Sequence, residues 1–162
     1  AWEGWMDADA IAIVWGDQAL LSEHTVHRAI RMHQGSAVKK QATVPLAHVV
    51  SPYVDYILSP GSGALQSIRQ SREGDKCRMS GVSDVGLFIV STSGLYEAWS
   101  NYNRICRRGN LTGELNFLPF LLYLTRHGWR FHTFEVPDYR ETRGINTRAD
   151  LAFVRRNLEE CS

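Results

Sequence analysis

Apolar positions fall either into short unbroken runs or into repeats of three and four, and each pattern predicts a different element. "AIAIVW" (10–15) is unbroken, which predicts a strand buried on both faces, as in a parallel sheet. Ser22 follows as an N-cap with Glu23 in the first turn. Val26, Ala29, Ile30 and His33 then recur at helical spacing until Gly35. A β-rich stretch comes next. "ATVPLAHVV" (42–50) and "YVDYIL" (53–58) predict strands, and "SPGSG" (59–63) predicts a turn into "LQSIRQ" (65–70). "GLFIV" (86–90) predicts another buried strand. A helix is expected from Leu95 to Arg107, closed by Gly109-Asn110, and a third from Asn116 to Gly128. "WRFHTFEV" (129–136) predicts a strand. A last helix is expected from Thr147 to Glu160, with Leu151, Val154 and Leu158 as its apolar face. Strands alternating with helices predict layered α/β architecture.

Composition narrows this picture without redirecting it. A chain of 162 residues with 44% hydrophobic and 22% charged residues suits one domain with a substantial core. A net charge of +1 gives no reason to expect a nucleic-acid polymer as partner. Two basic groups, Arg104-Arg107-Arg108 and Arg140-Arg143-Arg148, each suit a local anion. Cys77, Cys106 and Cys161 are odd in number and lack metal-ligand spacing, so reduced thiols in a cytoplasmic protein are expected. The longest apolar runs, such as "LPFLLYL", are too short to cross a membrane, and no basic-then-apolar leader opens the sequence. His24 and His27 lie three apart on one helix, but no third ligand accompanies them. Surface or packing roles are expected for the six histidines.

The first strand ends in Gly16-Asp17. In α/β sheets, ligands bind beyond the carboxyl ends of strands. Asp17 is therefore either a turn residue or a group presented to a ligand.

Four segments decide how it reads. "IAIVWGDQALLSEHTV", "SDVGLFIVSTSGLYEAW", "GELNFLPFLLYLTRHG" and "ETRGINTRADLAFVRRNL" follow one another in the order found in the second half of sugar-1-phosphate nucleotidyltransferase domains. The chain resembles that family over nearly its whole length. The resemblance implies a three-layer, Rossmann-like mixed sheet, with residues 1–162 forming one partial domain whose N-terminal nucleotide-binding half is missing. It implies an enzyme that, as a full-length protein, joins a nucleoside triphosphate to a phosphorylated small acceptor, a sugar 1-phosphate or a phosphonate, and releases pyrophosphate. It also implies Mg²⁺ as cofactor, held by Asp17 and Asn146 as catalytic residues. One carboxylate and one amide oxygen, completed by phosphates and water, suit a hard cation of this kind. Read alone, Asn146 would be a helix cap before "TRADL".

Acceptor contacts carry over less evenly. Gln70, with Glu73 close by, stands where the family has a glutamate, and Asp84 where it has an asparagine. Tyr53 to Asp55 replaces a Tyr-Gly pair. Glu114 matches the family's Gly-Glu, and Asn116 stands near its sugar contacts. Gly-Asp-Gln-Ala-Leu replaces Gly-Asp-x-Pro-Leu. In the charged loop "QSREGDK", Arg72 or Lys76 could reach an acceptor phosphate. The family's Gly-rich phosphate loop does not occur, so this chain by itself is expected to be an inactive fragment. Its strand "AIAIVW" is expected at an exposed edge that pairs with a second copy. Two rival expectations are a non-catalytic binding or regulatory module on the same fold, and an unrelated α/β transferase in which Asp17 is structural.

Overall fold

The computed structural model describes residues 3–5 and 7–159. Cys161 and the expected end of the last helix at Glu160 lie outside them. The strands are β1 (Ala10–Val14), β2 (Gln41–Val50), β3 (Val54–Leu58), β4 (Leu65–Gln70), β5 (Ser80–Asp84), β6 (Leu87–Ser91) and β7 (Arg130–Glu135). The helices are α1 (Glu23–Gln34), α2 (Leu95–Ile105), α3 (Leu118–Arg126) and α4 (Arg148–Glu159).

β2 is the hub of a five-stranded mixed sheet. It runs parallel to β7, from Gln41 opposite Arg130 to Leu46 opposite Glu135. On its other side it meets β6 at Ala42–Val90 and Thr43–Ile89, and then β5 from Leu46–Asp84 to Val50–Ser80, both antiparallel. β5 and β6 are thus consecutive segments of one antiparallel line, broken at Val85-Gly86. Gly86 has φ 75°, and a Cβ there would overlap the Gln18 side chain, so the break requires glycine. β5 itself is not evident from the apolar pattern, because "SGVSD" carries a single large apolar residue.

Alternation along β6 accounts for its unbroken apolar run. Phe88 and Val90 enter a core with Tyr56, Phe120, Leu121, Leu124 and Trp129, on the side of α2, α3 and the β3–β4 hairpin. Leu87 and Ile89 enter a second core with Ala29 of α1, Ala47, Phe134 and Val136. Side chains of this size buried on both faces contribute about 1.5–3 kcal/mol each, and the result is the expected three-layer α/β arrangement.

Two expectations are corrected. β1 lies at the edge that the resemblance implies, but it is neither buried on both faces nor set among parallel neighbours. Its one partner among the described residues is β6, antiparallel from Ala10–Ser91 to Val14–Leu87, and it ends the sheet. Ala12 and Val14 are exposed as a consequence. On α4, only Val154 of the expected apolar trio is buried, while Leu151 and Leu158 are 37% and 48% exposed. The helix packs instead on the side carrying Phe153, Val154 and Asn157, where Asn157 Oδ1 accepts from Arg140 at 2.9 Å.

α1 begins as expected. The Ser22 side chain accepts from Thr25 N at 3.1 Å, and Gly35 closes the helix. α3 starts two residues later than expected, at Leu118, because Asn116 is taken up in capping: its Oδ1 accepts from Leu118 N at 3.2 Å. α2 ends at Ile105 rather than Arg107.

Candidate active site

The three mutually parallel strands β1, β2 and β7 direct their carboxyl ends to one side of the sheet. A cleft of about 780 Å³ opens there. Trp15 closes β1 by donating its backbone N–H to the Gly86 carbonyl at 2.9 Å, and the chain then turns, with Gln18 N donating to Trp15 O at 3.2 Å. That turn presents Asp17 to the cleft.

Asn146 lies 129 residues away in sequence, yet its Nδ2 donates to Asp17 Oδ2 at 3.1 Å. Three local devices bring the two together. Ile145 N donates to the Asp17 backbone carbonyl at 3.0 Å. Gly144 lies against the Asp17 carboxylate so closely that a Cβ would overlap it. Thr147 and Asp150 form a reciprocal cap at the start of α4. Thr147 Oγ1 accepts from Asp150 N at 3.2 Å, while Asp150 Oδ2 accepts from Thr147 N at 2.9 Å and from Asn146 N at 3.2 Å. The cap is therefore Thr147, and the Asn146 side chain is free to face Asp17. The Thr147 hydroxyl, then Arg143, hold the Asp150 carboxyl below its ordinary range.

Glu141 fixes this loop to the start of α1. It is 5% exposed and accepts from Ser22 N, Ser22 Oγ and Thr25 Oγ1, all at 3.0 Å. It opens the segment "ETRGIN" that carries the resemblance, but no local pattern names its partners in α1. Three donors to one buried carboxylate make it a positioning residue.

Most of the other expected contacts line the same cleft. Asn116 Nδ2 donates to Gln70 Oε1 at 2.6 Å, both residues being buried. Glu114 pairs with Arg72 at 3.1 Å. Asp84 sits at the β5–β6 break, where its Oδ1 accepts from Gly86 N at 2.9 Å. Burial raises the Asp84 carboxyl, opposed by that backbone donor. The Tyr56 hydroxyl lies beside Asp84 without hydrogen-bond geometry, and burial and the neighbouring charge push its phenol well up. Trp15 and Phe117 form part of the wall, with centroids 5.8 Å apart and planes at 90°.

Glu73 is corrected. It is not among the residues lining the cleft. Its carboxylate accepts from Leu111 N at 3.1 Å and Thr112 Oγ1 at 2.6 Å, and Gly109 has no room for a Cβ beside it. Glu73 clamps the 109–112 loop. Lys76 is likewise absent from the lining, whereas Arg72 belongs to it. Asp55 also turns away from the cleft. It is fully buried and takes a bidentate Arg78 at 2.6 and 2.9 Å. Burial would raise its carboxyl, but the Arg78 hydrogen bonds and charge outweigh this and lower it.

The histidines take packing and surface roles. His33 bonds Thr43 and Ser91 in the core at 3.0 and 3.2 Å, and His27 lies 3.8 Å from Glu23 on the surface. No cluster of three or more His, Cys, Asp or Glu suited to a metal occurs among the described residues. No helix among them is long and apolar enough to cross a membrane.

Comparison with known proteins agrees with this architecture. No protein-family model matches the chain. It is 25% identical over 155 residues to the bifunctional protein GlmU of Lactobacillus helveticus, covering 93% of this chain and 32% of that protein. Among solved structures, a CMP:2-keto-3-deoxy-manno-octonic acid synthetase complexed with CTP superposes at TM-score 0.65 and 17% identity, over 96% of this chain and 64% of that one. The 2-C-methyl-D-erythritol 4-phosphate cytidylyltransferase of Thermus thermophilus superposes at TM-score 0.53 and 17% identity, over 93% and 62%. The chain thus spans about a third of its curated relative and under two thirds of these structures. It resembles part of a sugar-nucleotidyltransferase-like domain and shares the mixed-sheet, Rossmann-like fold of these structures.

Proposed function

We propose that the protein to which this chain belongs is a magnesium-dependent nucleotidyltransferase. It joins a nucleoside triphosphate to a small phosphorylated acceptor with release of pyrophosphate, and the chain supplies the acceptor side of the site and two metal ligands. The observation that carries the reading is the meeting of Asp17 and Asn146 at the carboxyl ends of parallel strands. Residues so far apart in sequence, held by a cap, a glycine cradle and a backbone bond, form a prepared pair rather than an incidental contact.

The pair fits Mg²⁺. A carboxylate and an amide are oxygen donors, two protein ligands leave room for phosphate and water, and the Gly144 cradle keeps the carboxylate at the cleft wall. When bound, the ion supplies neutralisation of phosphate charge. The chain's own residues orient and desolvate. Arg72 and Arg143 line the cleft as cations for phosphate oxygens, Gln70 and Asn116 offer amide groups, and Trp15 and Phe117 exclude water. Nothing in the site needs to act as a covalent nucleophile, because positioning and electrostatics carry phosphoryl-group chemistry. The free thiols Cys77 and Cys106 suit a reducing, cytoplasmic setting.

Asp17→Asn in the complete protein tests this reading. It removes a charged ligand but preserves shape, so turnover should fall by about a hundredfold or more, or roughly 3 kcal/mol of transition-state stabilisation. The melting temperature should stay unchanged. Pyrophosphate release measured with several nucleoside triphosphates reads the effect. Unchanged rates in the variant would refute a catalytic role for Asp17. Ligand binding without turnover in the wild type would favour a non-catalytic module instead.

A further inference from the structure

Among the described residues the cations lining the cleft are paired, and two of its carboxylates, Asp17 and Asp84, face no cation. Arg72 is engaged by Glu114 at 3.1 Å, Arg143 by Asp150 at 2.8 Å, and the Asp17 carboxylate takes the Asn146 amide at 3.1 Å. Asp84 is only 6% exposed, lines the same cleft, and pairs with no Arg, Lys or His among the described residues. Its Oδ1 is held by Gly86 N at the strand break, which fixes the carboxylate in place.

A carboxylate held at a buried cleft wall without a cation is offset more by an ammonium group, which brings charge and hydrogen bonds together, than by a neutral hydroxyl. The aromatic rings of Trp15 and Phe117 in the same wall also favour an organic cation over a hydrated metal ion. We propose that the acceptor held in this cleft carries an ammonium group received by Asp84, which makes it a small aminoalkyl phosphate or phosphonate rather than a neutral sugar phosphate. This inference rests on the reading of the cleft as an acceptor site. It assigns Asp84 as the residue that selects the acceptor, with Gln70 and Asn116 as neutral neighbours that do not compete for the cation.

The probes are O-phosphoethanolamine and hydroxyethyl phosphate, which differ only in exchanging an ammonium for a hydroxyl. Calorimetric titration of the complete protein should show the ammonium probe binding about tenfold tighter or more. Asp84→Asn should bring the two affinities together, mainly by weakening the ammonium probe. The wild-type comparison decides the matter even where the buried substitution impairs folding. Equal affinities, tighter binding of the hydroxyl probe, or no binding of either probe would each overturn the inference. An unchanged ammonium preference in a folded Asp84→Asn variant would overturn it as well. The nucleotidyltransferase reading is judged separately, by pyrophosphate release in Asp17→Asn, so the two can fail independently.

Discussion

Asp55 shows how one side chain's surroundings decide its worth. Its carboxylate is fully buried, and its stability depends on the two-pronged Arg78 contact and on Gly81, where a Cβ would overlap it. Arg78→Ala leaves a buried charge without its partner and should destabilise the chain by about 3 kcal/mol, read by urea denaturation at neutral pH. The pH dependence has a definite sign. Because the native carboxyl is held below its ordinary value of 3.8, the contribution is fully present above that value and is lost as pH falls through the lower native one. Wild type and Arg78→Ala should therefore converge in stability only under strongly acidic conditions. A constant gap down to the acid transition would contradict this. From the sequence, Asp55 reads as a polar interruption in "YVDYIL", because its partner lies 23 residues away across a loop.

At the scale of elements, the start of α4 couples folding to the site. Thr147 and Asp150 satisfy each other's backbone donors, and the same carboxylate holds Asn146 N and Arg143. Thr147→Ala removes the cap and should cost about 1 kcal/mol. It should also loosen the Asn146–Asp17 contact, so that affinity for Mn²⁺, used as a paramagnetic stand-in for Mg²⁺, falls severalfold in relaxation titrations. Thermal melts give the first number. A loss of stability with metal affinity unchanged would show that the cap does not position the site. From the sequence, the cap before "TRADL" reads as Asn146. That the cap frees Asn146 for Asp17, instead of using it, depends on the path of the loop after Thr142. Glu141 sets that path through bonds to Ser22 and Thr25, which come from the other end of the chain.

For the whole molecule, the consequential feature is β1 at the end of the sheet. Its second edge takes no strand from the described residues, and Ile11 and Ile13 border an apolar groove with Trp99 and Phe120. Exposed strand edges of this composition pair with other strands. Burial there returns about 25 cal/mol per Å². The 162-residue chain should therefore associate as its concentration rises, and Ala12→Lys, placed on the exposed face of the edge, should weaken that association. Sedimentation across a hundredfold range of concentration checks this. A monomer throughout, unaffected by the substitution, would count against it.

The sequence by itself determined the local elements. Run length and helical spacing place most of the strands and the four α-helices among the described residues, because backbone periodicity and capping are short-range physics. The order of four motifs also identified the type of fold. The tertiary structure decided what each polar residue faces. Glu73 lies in a charged loop and Asp84 before an apolar strand, but neither setting gives the outcome that one clamps a loop and the other enters the cleft. β5 had no apolar signature and exists because β2 offers it a partner. The apolar run of β1 reads as buried on both faces while the resemblance places it at an edge; pairing is a long-range property, and among the described residues its one partner lies on one side, as the edge expectation has it. Which donors reach Glu141 and Asp17 depends on contacts across more than a hundred residues, and no local pattern encodes them.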